Sequence, residues 1–420
     1  MKYFCSEPPQ YGLNVPSSEY TDQNSAGWRL LRTTDINEDG SLTSGNEVYL
    51  KPEAVLPEYR LTAGDLLLSR SGTIGRSFLC TTSKPPSTFA GYLIRFRPRS
   101  NIDPRYLNYC VRATFFQDEI SANAVVSTIS NFNAERYGNL QLPWRPIAEQ
   151  RAIADYLDTE TTRIDTLISK NRHLITLLAE YRTALITETV TRDLPPDATG
   201  TAKFGPQGWR PLKYYCSEPP QYGLNVSSSE YTDHNSDDLR LLRTTDIKED
   251  GSLTSGNEVY LNPETISPTY RLTTGDLLLS RSGTLGRSFL FTAAQHPATF
   301  AGYLIRFRPR SGVDPRYLNY CFLTTFFDDT ITANAVASTI ANFNAERYGN
   351  LRLPWRPLPE QRAIADDLDT ETARIDALSD RIITAINLLQ ESRSALITAA
   401  VTGQIDVPTR GMSAEEQFCT

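Results

Sequence analysis

Histidine is scarce in this chain: three among 420 residues (His173, His234, His296), with no shared spacing. A histidine-centred catalytic or metal site is therefore not expected. The six cysteines form no Cys-x-x-Cys pair, which speaks against zinc and for reduced thiols in a cytoplasmic setting. No run approaches the roughly 20 consecutive apolar residues of a membrane span. The opening Met1-Lys2-Tyr3-Phe4-Cys5-Ser6-Glu7 has no apolar core of the signal-peptide kind. Neither a Gly-x-x-x-x-Gly-Lys-Ser/Thr loop nor a glycine-rich loop for S-adenosylmethionine occurs, so a self-contained enzyme is not expected. Basic excess is missing too: 42 Lys and Arg stand against 49 Asp and Glu, a net charge of −7. At first sight that argues against a nucleic-acid partner. What is present is a chain 40% apolar, able to bury cores, and long enough for two or three domains.

The dominant feature is an internal repeat. Residues 2–142 align with 213–353 at a constant offset of 211 without a gap, and 110 of the 141 positions are identical. Lys2-Tyr3-Phe4-Cys5 returns as Lys213-Tyr214-Tyr215-Cys216, and Arg70-Ser71-Gly72-Thr73-Ile74-Gly75-Arg76 as Arg281-Ser282-Gly283-Thr284-Leu285-Gly286-Arg287. Each copy reads as an α+β globule of about 140 residues. Leu66-Leu67-Leu68 before Ser-Arg-Ser-Gly-Thr is a buried strand ending in a loop, and Gly91–Phe96 a second strand. Asp103 and Pro104 are the cap and first position of a helix. The differences Gly27/Asp238, Trp28/Leu239, Pro85/His296, Arg112/Leu323 and Gln117/Asp328 are expected in surface turns and helix ends.

After each globule the apolar period changes. Counted from Leu157 as a, the a positions are Leu157, Ile164, Asn171, Leu178 and Leu185, repeated as Leu368, Ile375, Ile382, Leu389 and Leu396. Leu167, Leu174 and Tyr181 also belong to the apolar pattern. This is a coiled-coil seam of about five heptads. The buried Asn171 either fixes register or sits in a solvated hole. A helix over 147–190 would be roughly 66 Å long, and the Pro/Gly linker starting at Asp193 could barely return along it fully extended. Antiparallel pairing needs no such return. The expected organisation is a globule over 1–146, a helix over 147–190, a linker over 191–211, a second globule over 212–356, a helix over 357–403 and a tail over 404–420. The two α/β globules would sit at the ends of an antiparallel coiled coil with pseudo-twofold symmetry.

Charge is segregated along this plan. Over 2–142 basic and acidic residues balance at 14 each, whereas 357–403 holds 4 basic and 8 acidic. The globules concentrate arginine: Arg70, Arg76, Arg95, Arg97 and Arg99. In the Arg70 loop, glycines allow the backbone close to a phosphate, hydroxyls can bond its oxygens, and arginine can fork onto a guanine edge. A tight turn with solvated arginines is the alternative. Candidate DNA contacts are Arg70, Ser71, Thr73 and Arg76 with Arg281, Ser282, Thr284 and Arg287. Tyr11 and Asn14, with Tyr222 and Asn225, form a second loop. Ser127, Thr128 and Asn131 form a third, repeated as Ser338, Thr339 and Asn342. Glu7-Pro8-Pro9-Gln10-Tyr11 resembles the Asp/Asn-Pro-Pro-Tyr/Phe box of amino-methyltransferases, but its first residue is wrong and Gln10 interrupts it. It is read as a turn.

Leu142-Pro143-Trp144-Arg145-Pro146, followed by Glu149-Gln150-Arg151-Ala152-Ile153-Ala154-Asp155 and Thr162-Arg163-Ile164-Asp165, resembles the helical region of type I restriction-modification specificity (S) subunits. It recurs from Pro359-Glu360-Gln361-Arg362, and 395–407 resembles that family's C-terminus. The resemblance implies two target recognition domains, each reading half of a split site in double-stranded DNA. It also implies long helices that set the gap between half-sites. Two methyltransferase (modification) subunits would dock on them and bring S-adenosylmethionine; motor-nuclease (restriction) subunits would add ATP and magnesium. The chain itself would catalyse nothing, hold no cofactor or metal, and contact no membrane. Glu149, Gln150 and Arg151 with Glu360, Gln361 and Arg362 are the expected docking residues, capping and salt bridging at the helix start being the alternative. Recognition domains of this family usually differ. Near-identical ones predict an interrupted palindrome. An S-like decoy that binds methyltransferase subunits without reading DNA is the competing reading.

Overall fold

A computed structural model describes residues 1–21, 27–82, 85–123, 131–194, 208–232, 238–292, 296–334 and 343–407. The chain forms two compact units, Met1–Arg172 with Ile383–Thr420, and His173–Ile382. The first holds β1 (Gln10–Tyr11), β2 (Trp28–Leu31), β3 (Val48–Leu50), β4 (Leu66–Ser69), β5 (Ser77–Leu79), β6 (Ser87–Phe89) and β7 (Leu93–Phe96), then α1 (Pro104–Arg112), α2 (Thr114–Asn123), α3 (Ala134–Asn139) and the start of α4 (Ile147–Thr191). The second repeats the order with one added strand pair, β8 and β16: β8 (Trp209–Pro211), β9 (Gln221–Tyr222), β10 (Leu239–Leu242), β11 (Tyr260–Leu261), β12 (Leu277–Ser280), β13 (Ser288–Leu290), β14 (Ala298–Phe300), β15 (Leu304–Phe307), α5 (Pro315–Phe322), α6 (Thr325–Asn334), α7 (Ala345–Asn350), β16 (Arg352–Pro354) and the start of α8 (Leu358–Thr402). The α+β expectation holds in each unit. Among the described residues no helix is long and apolar enough to cross a membrane.

Two small sheets build each globule. In the first unit an antiparallel sheet runs β1-β7-β4-β5, and a mixed one runs β3-β2-β6 with β2 and β6 parallel. The continuous Leu66-Leu67-Leu68 run has a physical reason. Successive strand residues point to opposite faces, and both faces of β4 are covered. Leu66 and Leu68 join Ile94 and Phe96 in a core under α1 that includes Tyr106, Leu107 and Cys110. Leu67 joins Leu31, Phe89 and Leu93 on the other side. Asp103 caps α1 as expected, accepting from the Arg105 and Tyr106 amides, with Pro104 in the first turn. Of the variable pairs, Trp28 and Leu239 lie in strands rather than turns, and Leu239 is buried.

Each globule is anchored to its long helix by polar contacts centred on one buried glutamine. Gln150, fully buried, accepts from the Asp103 amide (2.8 Å) and donates to the Arg145 carbonyl (2.7 Å). One turn on, Arg105 reaches Asp155 (2.7 Å) and Asp158 (2.8 Å), and Tyr109 donates to Asp158 (2.7 Å). The second unit repeats this with Gln361 between Asp314 and Arg356, and with Arg316 and Tyr320 on Asp366 and Asp369.

The helices pair antiparallel within each unit. In the first, Arg145 reaches the Thr402 carbonyl (3.0 Å) while Asp165 meets Arg393 (2.8 and 3.1 Å), so numbers rise on one helix as they fall on the other. In the second, Arg356 reaches the Val190 carbonyl and Arg182 meets Asp376 (3.3 Å). The seam differs from the a/d expectation. Leu157, Ile164 and Ile168 are buried together with Thr161, whereas Leu167, Leu174 and Tyr181 are 43%, 46% and 58% exposed. Thr161 is covered by the globule's Tyr109, 3.2 Å away, which pulls the buried stripe around the helix.

Removing a buried amide orphans the groups it bonded, a cost of about 1–3 kcal/mol. Gln150→Ala is expected to lower the Tm of its unit by several degrees, as would Gln361→Ala, read by differential scanning calorimetry.

Candidate nucleic-acid interface

The loop after β4 is rigidly built. Ser69 Oγ accepts from the Arg76 amide (3.1 Å) and donates to the Thr73 carbonyl, closing the loop on itself. The Tyr137 hydroxyl accepts from the Gly75 amide (2.9 Å) and donates to the Ser69 carbonyl (2.8 Å). Burial pushes the Tyr137 phenol pKa up, so it remains a donor at all ordinary pH. Gly75 has φ +84°, and a Cβ there would fall 2.6 Å from the Gln117 side chain, so only glycine fits. The same closure recurs through Ser280, Tyr348 and Gly286.

This loop gathers predicted residues that lie far apart in sequence. Arg70 stacks over the Tyr11 ring (4.9 Å) and its Nε donates to Asn131 Oδ1 (3.3 Å). Its backbone is pinned on both sides, by the Tyr92 carbonyl (2.9 Å) and the Phe132 amide (2.8 Å). Ser71 bridges to Asn131, and the Tyr11 hydroxyl accepts from the Ala134 amide (3.0 Å). Asn14 packs against the Gly91 backbone, next to Tyr92. The result is an outward ridge of Tyr11, Asn14, Arg70, Ser71, Tyr92 and Asn131. Its planar, cationic and amide-bearing groups are those that read base edges and phosphates. The second unit repeats it: Arg281 stacks over Tyr222 (4.9 Å), Asn225 packs on Gly302, and the Tyr303 carbonyl accepts from the Arg281 amide (2.9 Å). Ser282 follows Arg281 in this ridge as Ser71 follows Arg70.

Other predicted residues have different places. Arg76 donates to the Ile36 carbonyl (3.1 Å) and pairs with Glu38 (3.4 Å), and Arg287 does the same with Ile247 and Glu249. Thr73 and Thr284 supply carbonyls to the loop closure. Ser127, Thr128, Ser338, Thr339 and Asn342 lie outside the described residues. Arg95, Arg97 and Arg99, read as part of an arginine-rich surface, are structural: Arg95 is buried and bonded to the Glu58 carbonyl and Glu7, Arg97 forks onto Asp65, and Arg99 holds the Cys5 carbonyl. Glu7, from the Pro-Pro string, is thus an internal counter-ion. Gln150 and Gln361, expected on a docking face, are fully buried and engaged, while Arg151, Glu360 and Arg362 are exposed and Glu149 half-exposed.

Sequence reasoning missed Tyr92 and Tyr303, each 63% exposed at the tip of the turn before β7 and β15. An aromatic after glycine in a strand-to-strand turn was the available signal. Among the described residues no cluster of His, Cys, Asp and Glu could hold a metal.

The α+β globule that presents this ridge and is fixed to a long helix is thus one module present twice in the chain. The chain belongs to the family described as the type I restriction modification DNA specificity domain, which matches it twice, over residues 19–176 and 235–388. It is 20% identical over 405 residues to the type I restriction enzyme StySPI specificity subunit of Salmonella potsdam, covering 91% of this chain and 83% of that protein. It is 21% identical over 421 residues to the EcoKI specificity subunit of Escherichia coli K12, with the same coverage. A solved chain from a study of assembly and conformational transition in the type I restriction-modification system superposes with a TM-score of 0.68 at 17% identity, covering 96% of this chain and 99% of that one.

Tyr137→Phe would remove the shorter bond of the buried Gly75 amide (2.9 Å), leaving it only the Ser69 carbonyl at 3.2 Å, and would also take the phenol donor from that carbonyl. Amide exchange across 70–76 is expected to accelerate about tenfold or more, while strands β4 and β7 keep wild-type protection.

Proposed function

We propose that this chain is the DNA specificity subunit of a type I restriction-modification complex and reads an interrupted palindrome. The observation that carries the palindrome is the duplication of one ridge, residue for residue, at Tyr11, Asn14, Arg70, Ser71 and Tyr92 and at Tyr222, Asn225, Arg281, Ser282 and Tyr303. Two readers of one specificity, each leading into its own member of an antiparallel helix pair, read one short sequence on opposite strands. Arg70 and Arg281 are the main base contacts. Stacking on tyrosine holds each guanidinium flat and lowers the entropy lost on forking onto a base.

The helices set the spacing between half-sites and dock two modification subunits, with two restriction subunits joining for cleavage. Exposed Leu174, Leu177 and Tyr181, spaced three and four residues apart within the second unit, give α4 an apolar face suited to a partner. Glu149, Arg151, Glu360 and Arg362 frame the helix starts. Methyl transfer and cleavage belong to those partners, with their S-adenosylmethionine, ATP and magnesium. The acidic helices leave this chain without the basic surface for strong binding alone, so partners supply much of the phosphate contact.

The test is co-expression with the modification subunit and base-resolution mapping of methyladenine. One interrupted palindrome, methylated on both strands, is expected. Arg70→Ala with Arg281→Ala is expected to abolish it while the complex still assembles. A motif unaffected by the double substitution would remove the ridge from the account.

A further inference from the structure

Beneath the reading loop of the first unit lies an open cleft of about 1240 Å³. Its walls are the Gly72–Ser77 loop segment, the 37–39 turn, the end of α1 and the two long helices. Four guanidinium groups face it, from Arg76, Arg112, Arg172 and Arg393, against the carboxylates of Glu38, Asp39 and Asp165. Arg76 is held by Ile36 and Glu38, and Arg393 forks onto Asp165. The Arg112 side chain makes no hydrogen bond or ion pair among the described residues, although it is half-buried and Nη1 lies only 3.6 Å from where a Gly40 Cβ would stand. Burial, and then the charge of Arg393, depress its pKa, and the opposing pull of Tyr109, Asp39 and Asp165 offsets this only in part. A half-buried cation next to another cation is costly unless an anion joins it. On the same wall, Thr73 Oγ1 is buried without a partner among the described residues.

The repeat shows that this is no requirement of the fold. At the matching positions Leu323 replaces Arg112, Ile383 replaces Arg172, Asp328 replaces Gln117 and Asp380 replaces Ser169. Lys248, Arg287 and Arg182 there stand against five carboxylates, adding Glu249, Asp250 and Asp376. The ridges are alike, whereas the charge balance at these matching positions reverses, from four cations against three carboxylates to three cations against five.

We infer that the first unit's cleft binds a backbone phosphate of the DNA half-site, with Arg112 as its principal donor, and that the second unit lacks this contact. The inference rests on the DNA-reading function above. A duplex read by the loop passes its backbone across the cleft mouth, because the loop is the cleft wall. A phosphate there accepts from Arg112 in a charge-assisted bond. Bases are then read alike in the two halves but held unequally.

The test uses the assembled specificity–modification complex on a duplex carrying its methylated motif, with affinity followed against salt. Neutralising one phosphate contact changes the slope of log K against log salt by about 0.9. Arg112→Leu, the residue the repeat itself uses, is expected to lose that slope and weaken binding roughly tenfold, with the motif unchanged. Arg112→Lys is expected to keep the slope, and Leu323→Arg to increase it. Unchanged slope and affinity in Arg112→Leu would overturn the inference. So would Arg112-dependent binding of inorganic phosphate or ATP that leaves the DNA slope untouched, which would assign the cleft to a free anion. A wild-type complex with no preference for any duplex would instead strike the reading function itself, and the inference with it.

Discussion

Each recognition globule is fixed to its long helix by a buried glutamine. Gln150 bonds the first amide before α1 and the carbonyl before α4, so one side chain locks together the strand-rich globule, the connecting segment and the helix. Arg105 and Tyr109 extend the lock by a turn, converging on carboxylates at positions 155 and 158, which share a helix face. The spacing of two readers has meaning only if each is rigid on its own helix. A glutamine suits this role because it donates and accepts at once, and burial makes the loss of either bond expensive. Gln361 repeats the arrangement, so both readers are mounted by the same device.

Preorganisation continues outward from that anchor. The Arg70 loop is closed by Ser69, braced by Tyr137 from α3, and tied to the turn before β7. Its arginine then rests on an aromatic ring supplied by β1. In the DNA-contacting role proposed above, a ridge built this way loses little conformational entropy on binding. The cleft in the first unit lies where the loop approaches the long helices, and its lining differs in charge from the matching residues of the second half.

Much of this was legible in the sequence because it is local or periodic. The Asp103-Pro104 cap, the doubly buried leucine run of β4, the lengths of the helices and the repeat all announce themselves over a few residues or at a fixed offset. The convergence of Tyr11, Arg70 and Asn131 on one ridge was anticipated only as three separate loops. Their meeting depends on strand order β1-β7-β4-β5, which no local pattern reveals. Side-chain partners were the least legible. Arg95, Arg97 and Arg99 resemble a basic surface until Glu7 and Asp65 are found beside them, from segments 88 and 32 residues away. Gln150 is a docking residue only by the resemblance of its segment to the family's helical region; its burial is not legible because its partners, the Asp103 amide and the Arg145 carbonyl, lie outside its own helix. The seam moved from Leu167 and Leu174 to Thr161 and Ile168 because the globule, and not only the other helix, covers α4.

The account's central claim is that two equivalent readers are mounted on one chain. It is tested most directly by replacing residues 213–353 with a second copy of 2–142 in the complex and sequencing the methyladenine it deposits. The account predicts the same interrupted palindrome with the same gap, because the ridges are interchangeable. A changed or asymmetric motif would contradict it, placing specificity in the residues by which the halves differ.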